Sequence, residues 1–197
     1  MVVGVLALQG DFSAHAKALR RAGASVRDVR RVQELDGLGG VVLPGGESTT
    51  LLRLMDDDGW PEALRQFHRR GGALFGTCAG AILLARAVRN PVQPSLGLLD
   101  AVVARNSYGR QVDSFATRLD VPALGRAIDA VFIRAPRFEA LGPRVEVLAR
   151  LGDQPVLVLE GRVMAATFHT ELTDDVGLHG LFTSLLAPST NEPLEAR

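Results

Sequence analysis

Short apolar runs alternate with amphipathic stretches along the first half of the chain. Residues 2–8 form a β-branched apolar run that stops at a Gln-Gly-Asp turn, which predicts a strand buried on both faces. Residues 12–22 place apolar side chains at helical spacing and end before Gly23, which predicts a helix. The same alternation predicts further strands at 25–29, 40–43 and 73–75 and further helices at 48–55, 61–70 and 81–87. Alternation of this kind is typical of crossover units, so we predict an α/β fold, a single-domain three-layer sandwich in which helices flank a mostly parallel central sheet.

From residue 98 onward, short strand patterns follow one another with few helices between them. They lie at 98–104, 112–121, 130–133, 145–151, 155–159 and 163–167. We expect antiparallel pairs among them, including a hairpin turned by Gly161-Arg162. An amphipathic stretch at 176–186 predicts a last helix that packs on the sheet. Residues 1–186 are therefore expected to form one domain, and the polar residues 187–197 a frayed tail.

Composition narrows the function classes. The 197 residues are 47% hydrophobic, which is enough for one sizeable core. The 22 Lys and Arg residues balance 22 Asp and Glu residues, so no net charge draws the chain to nucleic acid or to an anionic membrane. A single cysteine excludes an internal disulfide and favours the reducing cytoplasm. No apolar run approaches the roughly 20 residues of a membrane span, and the first residues lack a basic targeting region, so we expect a soluble, untargeted protein.

The single cysteine follows a predicted strand and precedes a predicted helix. Cys78 lies directly after the apolar strand at 73–75 and between Gly76 and Gly80. Glycines at these positions allow a tight, strained turn with a nucleophile at its apex, as in the serine nucleophile elbow. The positive end of the following helix favours the thiolate, which is the reactive form of cysteine. A lone cysteine can also be a small buried hydrophobic residue, but the elbow setting favours a nucleophile.

A histidine and a glutamate lie two positions apart after the strand predicted at 163–167. The side chains of His169 and Glu171 can share a face, so the carboxylate can hold the imidazole in a useful tautomer. Such a histidine acts as a base toward a thiol and then as an acid toward leaving ammonia. The remaining histidines fall in predicted helices and are expected to be surface or packing residues: His15, His68 and His179. Four scattered histidines and one cysteine form no metal-ligand spacing, so no metal site is predicted.

A glycine-rich loop follows the strand predicted at 40–43. The glycine pair Gly45-Gly46 lets the backbone turn an N–H group toward a developing oxyanion. We predict that the N–H groups of Gly46 and Ala79 form an oxyanion hole, with a contribution of roughly 3 kcal/mol per donor. The plainer interpretation is an ordinary glycine turn before a helix capped by Ser48. The loop is not a phosphate-binding P-loop, because the lysine of that motif is missing.

These motifs carry a family resemblance. The segments Gly76-Thr77-Cys78-Ala79-Gly80 and Phe168-His169-Thr170-Glu171-Leu172 resemble the class I, triad-type glutamine amidotransferases. Further blocks are similar to the glutaminase subunit of pyridoxal 5'-phosphate synthase: Leu8-Gln9-Gly10, Pro44-Gly45-Gly46-Glu47-Ser48-Thr49, the stretch 105–115 and Phe132-Ile133-Arg134-Ala135-Pro136. The triad pair marks only the superfamily, whereas three blocks are far more specific to this subunit: Gly46-Glu47-Ser48-Thr49, Gly109-Arg110-Gln111-Val112-Asp113-Ser114-Phe115 and Ile133-Arg134-Ala135-Pro136. The resemblance implies a class I amidotransferase-like, flavodoxin-like fold.

The resemblance also implies a role for each matching residue. Cys78 would be the nucleophile, His169 the acid–base and Glu171 its orienting partner. Glutamine would be bound by Gly46, Glu47, Ser48, Arg105, Ile133 and Arg134. No cofactor is implied. The ammonia released from L-glutamine would pass to a synthase subunit in a hetero-oligomeric complex that makes vitamin B6.

One position departs from the family pattern. The family usually has proline between the histidine and the glutamate, and this chain has Thr170. Proline fixes the local backbone, so Thr170 is expected to loosen the loop or to shift His169 slightly. The departure affects the expected rate more than the expected reaction.

Other functions remain open from the sequence. Proteases, chaperones and deglycase-like proteins with a cysteine elbow typically place a histidine directly after the cysteine, where this chain has Ala79. A glutaminase subunit of a different amidotransferase would lack the blocks at 109–115 and 133–136. A non-catalytic partner protein with the same fold is supported only by Thr170.

Overall fold

The computed structural model describes residues 2–56, 58–105 and 114–186. The strands are β1 (Val2–Leu6), β2 (Ser25–Val29), β3 (Gly40–Leu43), β4 (Ala73–Thr77), β5 (Ala85–Arg89), β6 (Leu99–Ala104), β7 (Phe115–Val121), β8 (Arg126–Phe132), β9 (Arg137–Leu141), β10 (Glu146–Leu151), β11 (Gln154–Glu160) and β12 (Val163–Ala166). The helices are α1 (Phe12–Arg21), α2 (Ser48–Asp56), α3 (Trp60–Arg69), α4 (Ala79–Leu84) and α5 (Gly177–Ser184), with short 3-10 turns at Val32–Leu35 and Pro122–Leu124.

A large central sheet runs through the described part of the chain in the order β10-β11-β12-β4-β3-β1-β2. From β2 to β12 each neighbouring pair is parallel, whereas β12, β11 and β10 form an antiparallel meander. Gly161 turns the hairpin between β11 and β12 with a φ angle of 58°. The predicted α/β fold with a mostly parallel sheet and C-terminal antiparallel strands is confirmed.

Helices cover both faces of this sheet because its central strands are apolar on both sides. Every residue of β3 and β4 is buried. On one face Leu51, Leu64 and Leu83 of α2, α3 and α4 pack against the sheet, and on the other face Leu19 of α1 and Phe182 of α5 do so. Each fully buried side chain of this size contributes about 1.5–3 kcal/mol of transfer free energy, so the three layers hold together mainly by apolar burial.

Two smaller sheets extend the C-terminal half. Strands β5, β6 and β9 form one of them, and β7 and β8 form an antiparallel hairpin. The hairpin packs on the α1 and α5 face, where the rings of Phe115 and Phe132 stack 4.8 Å apart between centroids. An isolated antiparallel bridge joins Val131 of β8 to His169 after β12, so the hairpin is attached to the functional edge of the central sheet.

The structure corrects two sequence expectations in the first half of the chain. The helix predicted at 81–87 ends at Leu84, and β5 begins at Ala85. A short apolar run does not distinguish a buried helix from a strand, and pairing with β6 decides this case. The predicted cap Ser48 lies inside α2, because Glu47 accepts hydrogen bonds from the N–H groups of Thr49 and Thr50 at 3.2 and 2.8 Å.

Strand β9 was not predicted, because only Phe138 of its five residues is buried and the pattern does not alternate clearly. The predicted positions 112 and 113 of one strand and the predicted tail at 187–197 lie outside the described residues. None of the helices in the described ranges is long and apolar enough to cross a membrane.

Candidate active site

Four segments converge at one edge of the central sheet because they follow four of its parallel strands. These strands are β1, β3, β4 and β12, and their carboxyl ends share an edge. Ligands of open α/β sheets bind at this edge. The segments carry Asp11, Gly46, Cys78 and His169, which all line one cavity.

Cys78 lies at a strained turn between β4 and α4. Its φ and ψ angles are 46° and −102°, a conformation that non-glycine residues rarely adopt. A Cβ atom at Gly76 would lie 2.5 Å from the carbonyl carbon of Gly80, and one at Gly80 would collide with the carbonyl oxygen of Leu43. The two glycines therefore allow the backbones to approach, and the turn is the elbow that the sequence predicts.

His169 lies beside Cys78 and is bound on two sides. The ring lies against the Cys78 side chain, and its Nδ1 lies 2.7 Å from Glu171 Oε1. The ring packs directly on Gly45, where any side chain would collide with it. The His169 N–H donates to the Val131 carbonyl at 2.8 Å, which fixes the backbone. The structure thus brings together Cys78, His169 and Glu171, with the imidazole between the thiol and the carboxylate.

Burial and charge pairing shift the pKa values of this pair in opposite directions. Burial alone would lower the pKa of His169, but hydrogen bonds and charge interactions with Cys78 and Glu171 raise it to about 10. Burial alone would raise the pKa of Glu171, but the His15 and His169 rings hold this pKa well below its usual range. At neutral pH the site therefore favours an imidazolium at His169 beside an ionised Glu171 carboxylate.

The cavity in front of the thiol has a volume of about 250 Å³. This volume lies slightly below the range of roughly 300–1,000 Å³ that is typical of pockets for drug-sized ligands, so it suits an amino acid. All six residues predicted to bind glutamine line it: Gly46, Glu47, Ser48, Arg105, Ile133 and Arg134. Ala79 does not line the cavity, but it begins α4 directly after Cys78.

A polar network fixes the rim of the cavity. Arg105 Nη2 donates to Glu47 Oε1 at 3.0 Å, and its Nη1 donates to Gln93 Oε1. The Ser48 hydroxyl donates to the same Gln93 oxygen at 3.1 Å. Gln9 joins the network because its Oε1 accepts from the Glu47 N–H at 3.2 Å. The guanidinium is thus held at the cavity by fixed acceptors.

Several residues of the site were missed from the sequence. Asp11 and Ile82 line the cavity, and Gln93 holds Arg105. Asp11 follows the carboxyl end of β1, which is a usable signal in a parallel sheet, whereas Gln93 lies in a proline-rich segment without periodicity. The block at 106–113 lies outside the described residues.

The expectation for His15 was incomplete. His15 was predicted to be a surface or packing residue, but it is fully buried and its Nε2 lies 3.3 Å from Glu171 Oε2. Helical spacing places a residue on a face of its own helix and gives no information on which loop that face meets.

One grouping resembles a cation site. Asp11, His169 and Glu171 place nitrogen or oxygen atoms within 4.8 Å of one another. The His169 and Glu171 atoms are hydrogen-bonded to each other and Asp11 is exposed, so the triad geometry explains this grouping.

Comparison with known proteins gives close relatives over nearly the whole chain. A family model described as the SNO glutamine amidotransferase family matches residues 5–186. A Deinococcus radiodurans protein named pyridoxal 5'-phosphate synthase subunit PdxT is 54% identical over 190 residues, which cover 94% of this chain and 97% of that protein. A Thermus thermophilus protein of the same name is 56% identical over 186 residues, covering 93% of this chain and 97% of that protein.

Two solved structures also match the fold of this chain. A crystal structure of a glutamine amidotransferase matches with a TM-score of 0.89 at 52% identity, covering 94% of this chain and 98% of that chain. PurLQS from Thermotoga maritima matches with a TM-score of 0.72 at 18% identity, covering 93% of this chain and 96% of that chain, a likeness of fold alone.

Proposed function

This chain belongs to the SNO glutamine amidotransferase family, and we propose that it is the glutaminase subunit of a pyridoxal 5'-phosphate synthase. It hydrolyses L-glutamine to L-glutamate and ammonia and delivers the ammonia to a synthase subunit. The observation that carries the chemistry is a buried imidazole with a thiol on one side and a carboxylate at 2.7 Å on the other, at the wall of a cavity of about 250 Å³.

In the first half-reaction, the Cys78 thiolate attacks the side-chain amide carbon of glutamine. The carbonyl electron pair moves to oxygen, and the N–H groups of Gly46 and Ala79 stabilise that oxyanion. His169 gives its proton to the nitrogen as the C–N bond breaks, so ammonia leaves and a glutamyl thioester remains on Cys78. Glu171 orients the imidazole and stabilises its charged form.

In the second half-reaction, His169 accepts a proton from water, whose oxygen attacks the thioester carbon. The C–S bond then breaks, which releases glutamate and restores the thiolate. The α-carboxylate of glutamine is held by the cavity arginines, Arg105 and Arg134, and the α-amino group by the carboxylate side of the rim at Glu47. Ser48 and Ile133 complete the substrate site.

The surroundings of this activity are part of the proposal. Residues 1–186 form the glutaminase domain, which the family match over 5–186 supports. The partner is the pyridoxal 5'-phosphate synthase subunit in a hetero-oligomeric complex, as the name of the relatives suggests. The protein works in the cytoplasm, where a reducing environment keeps its single cysteine active.

The decisive experiment measures ammonia and glutamate release from glutamine with and without the synthase subunit. Cys78→Ala is expected to lower kcat at least about 1,000-fold, because the variant has no thiolate to form the thioester. Cys78→Ser serves as the control that keeps the side-chain volume. A wild-type protein that releases no ammonia in either mixture overturns the proposed function. Activity that survives Cys78→Ala excludes this cysteine as the nucleophile.

A further inference from the structure

Two buried histidines lie behind the triad, on the side away from the cavity. His15 of α1 and His179 of α5 are both fully buried. The Nδ1 of His15 lies 3.0 Å from the Nε2 of His179. The rings also meet the edge of Phe75 at centroid distances of 6.3 and 6.1 Å. The pair is therefore locked between two helices and the central sheet.

The Nε2 side of the His15 ring, opposite His179, contacts the triad. His15 Nε2 lies 3.3 Å from Glu171 Oε2 and 3.0 Å from the hydroxyl of Thr77, the residue before the nucleophile. Glu171 Oε1 is bound to His169. Oε2 is buried and has no fully aligned hydrogen bond from any of the described residues, so the His15 contact at 3.3 Å is what compensates it. A buried carboxylate oxygen without any donor is costly.

The contacts determine where the protons lie. Burial is the largest cause that lowers the pKa of His179, to about 3, so this ring is neutral and carries one proton. Its Nδ1 is buried and has no partner in the described parts of the chain. The proton is therefore best placed on Nε2, where it is donated to His15 Nδ1. His15 then carries its own proton on Nε2, facing Glu171 and Thr77.

We propose that His15 is a positioning residue for the triad, which donates from Nε2 to Glu171, and that His179 fixes the tautomer that makes this donation possible. This inference rests on the proposed glutaminase function. The chain of donors runs from His179 through His15 to Glu171, whose other oxygen accepts from His169. Glu171 is thereby held in one orientation by two rings on two different segments.

The proposal predicts a change in pH dependence. The titratable groups around Glu171 are His15 from α1, His169 from its own turn, Cys78 from the elbow, Asp11 from the turn after β1, and His179 with Asp175 near the start of α5. Among them His15 contacts the second carboxylate oxygen. Loss of its N–H raises the pKa of Glu171, so the acid limb of kcat moves to higher pH.

The test compares His15→Gln with His15→Asn in the complex with the synthase subunit. The Gln amide nitrogen takes the place of Nε2 and still reaches Glu171, whereas the Asn amide takes the place of Nδ1 and reaches only His179. We expect His15→Asn to lower kcat about 10- to 100-fold, the size of a hydrogen bond to a charged group, with KM little changed. His15→Gln is expected to keep kcat within about fivefold of the wild-type value and to leave the acid limb of the kcat profile at its wild-type pH.

The controls are His68→Gln and His68→Asn, since His68 lies on α3, outside the active site, and its ring is hydrogen-bonded to the Gly72 carbonyl. Equal losses in His15→Gln and His15→Asn, with an unmoved acid limb, would mean that His15 only packs. Circular dichroism shows whether each variant folds. If both His15 variants fail to fold, His179→Leu provides the second variant, with a smaller shift of the acid limb in the same direction.

A second readout needs no turnover and no variant. Long-range ¹H–¹⁵N spectra of the wild-type protein report which ring nitrogens carry protons. We expect both His15 and His179 to be protonated at Nε2. A bare Nε2 on His15 overturns the positioning role whether or not the protein hydrolyses glutamine. An inactive wild type with the expected tautomers overturns the proposed function alone.

Discussion

The two glutamates of the site, Glu171 and Glu47, lie in opposite environments. The Glu171 side chain is fully buried and is bound by histidine rings. The Glu47 side chain is 50% exposed and binds two helix N–H groups and Arg105. Water can replace the partners of an exposed carboxylate, but it cannot replace those of a buried one. Glu171 therefore depends on its protein partners, and under the proposed function its loss would act on catalysis, whereas Glu47 holds the rim of the cavity and the start of α2.

Neutralising each glutamate in turn tests whether the two carboxylates have different roles. Glu171→Gln is expected to lower kcat about 1,000- to 10,000-fold, because the amide cannot stabilise the imidazolium and favours the wrong tautomer. Glu47→Gln is expected to keep kcat within about tenfold, because water replaces its partners. Steady-state ammonia release measures both. Equal losses of kcat in the two variants would contradict the division of roles.

Arg105, the partner of Glu47 at the rim of the cavity, is expected to affect substrate binding rather than the chemical step. Arg105→Gln is expected to raise KM for glutamine about 10- to 100-fold, since a charge-assisted contact to the substrate carboxylate is lost. The value of kcat is expected to stay within about threefold, because the contact is equally strong in the ground state and the transition state. Arg89→Gln is the control, as Arg89 pairs with Glu139 on the surface. A fall in kcat at constant KM would instead place Arg105 in the chemistry.

The smallest effect concerns the stability that Glu47 gives to α2. Burial alone would raise its pKa, but hydrogen bonds from Thr50 and Thr49 together lower it below the ordinary value of 4.5. A carboxylate whose folded pKa is depressed stabilises the protein above its unfolded pKa, and this contribution is lost as pH falls through the folded pKa. Glu47→Gln is therefore expected to cost about 1 kcal/mol near pH 7 and almost nothing near pH 2.

Urea unfolding at the two pH values measures this difference. Glu146→Gln, at an exposed position of β10, is the control for the loss of one negative charge. A penalty that persists unchanged in acid would show that the Glu47 carboxylate is not the cap of α2.

Local patterns were sufficient for most of the fold and for the centre of the site. Alternating strands and helices gave the parallel sheet, and Gly76, Cys78 and Gly80 gave the elbow because their constraint lies within five residues. His169 and Glu171 were found for the same reason. These features depend on neighbours in the chain, which sequence spacing reports directly.

The features that were missed depend on distant pairing. Whether residues 85–87 continue a helix was decided by β6, and the role of His15 by contacts 156 and 164 residues away in sequence, at Glu171 and His179. Gln93 gave no signal because its role depends on Arg105 and Ser48, to which no periodicity connects it. The Thr170 hydroxyl is buried without a partner in the described residues, so the departure from proline leaves an uncompensated polar group beside the triad.

The bridge between Val131 and His169 links the position of the imidazole to the position of the cavity wall. The two residues exchange backbone hydrogen bonds of 2.8 and 3.4 Å, and β8 ends one residue before Ile133 at the cavity wall. Any tilt of the hairpin therefore moves His169 and the cavity wall at Ile133 together. Under the proposed function, a substitution far from the cavity on the hairpin would therefore change kcat and KM together. A change that affects only His169 or only the cavity wall would alter one of the two.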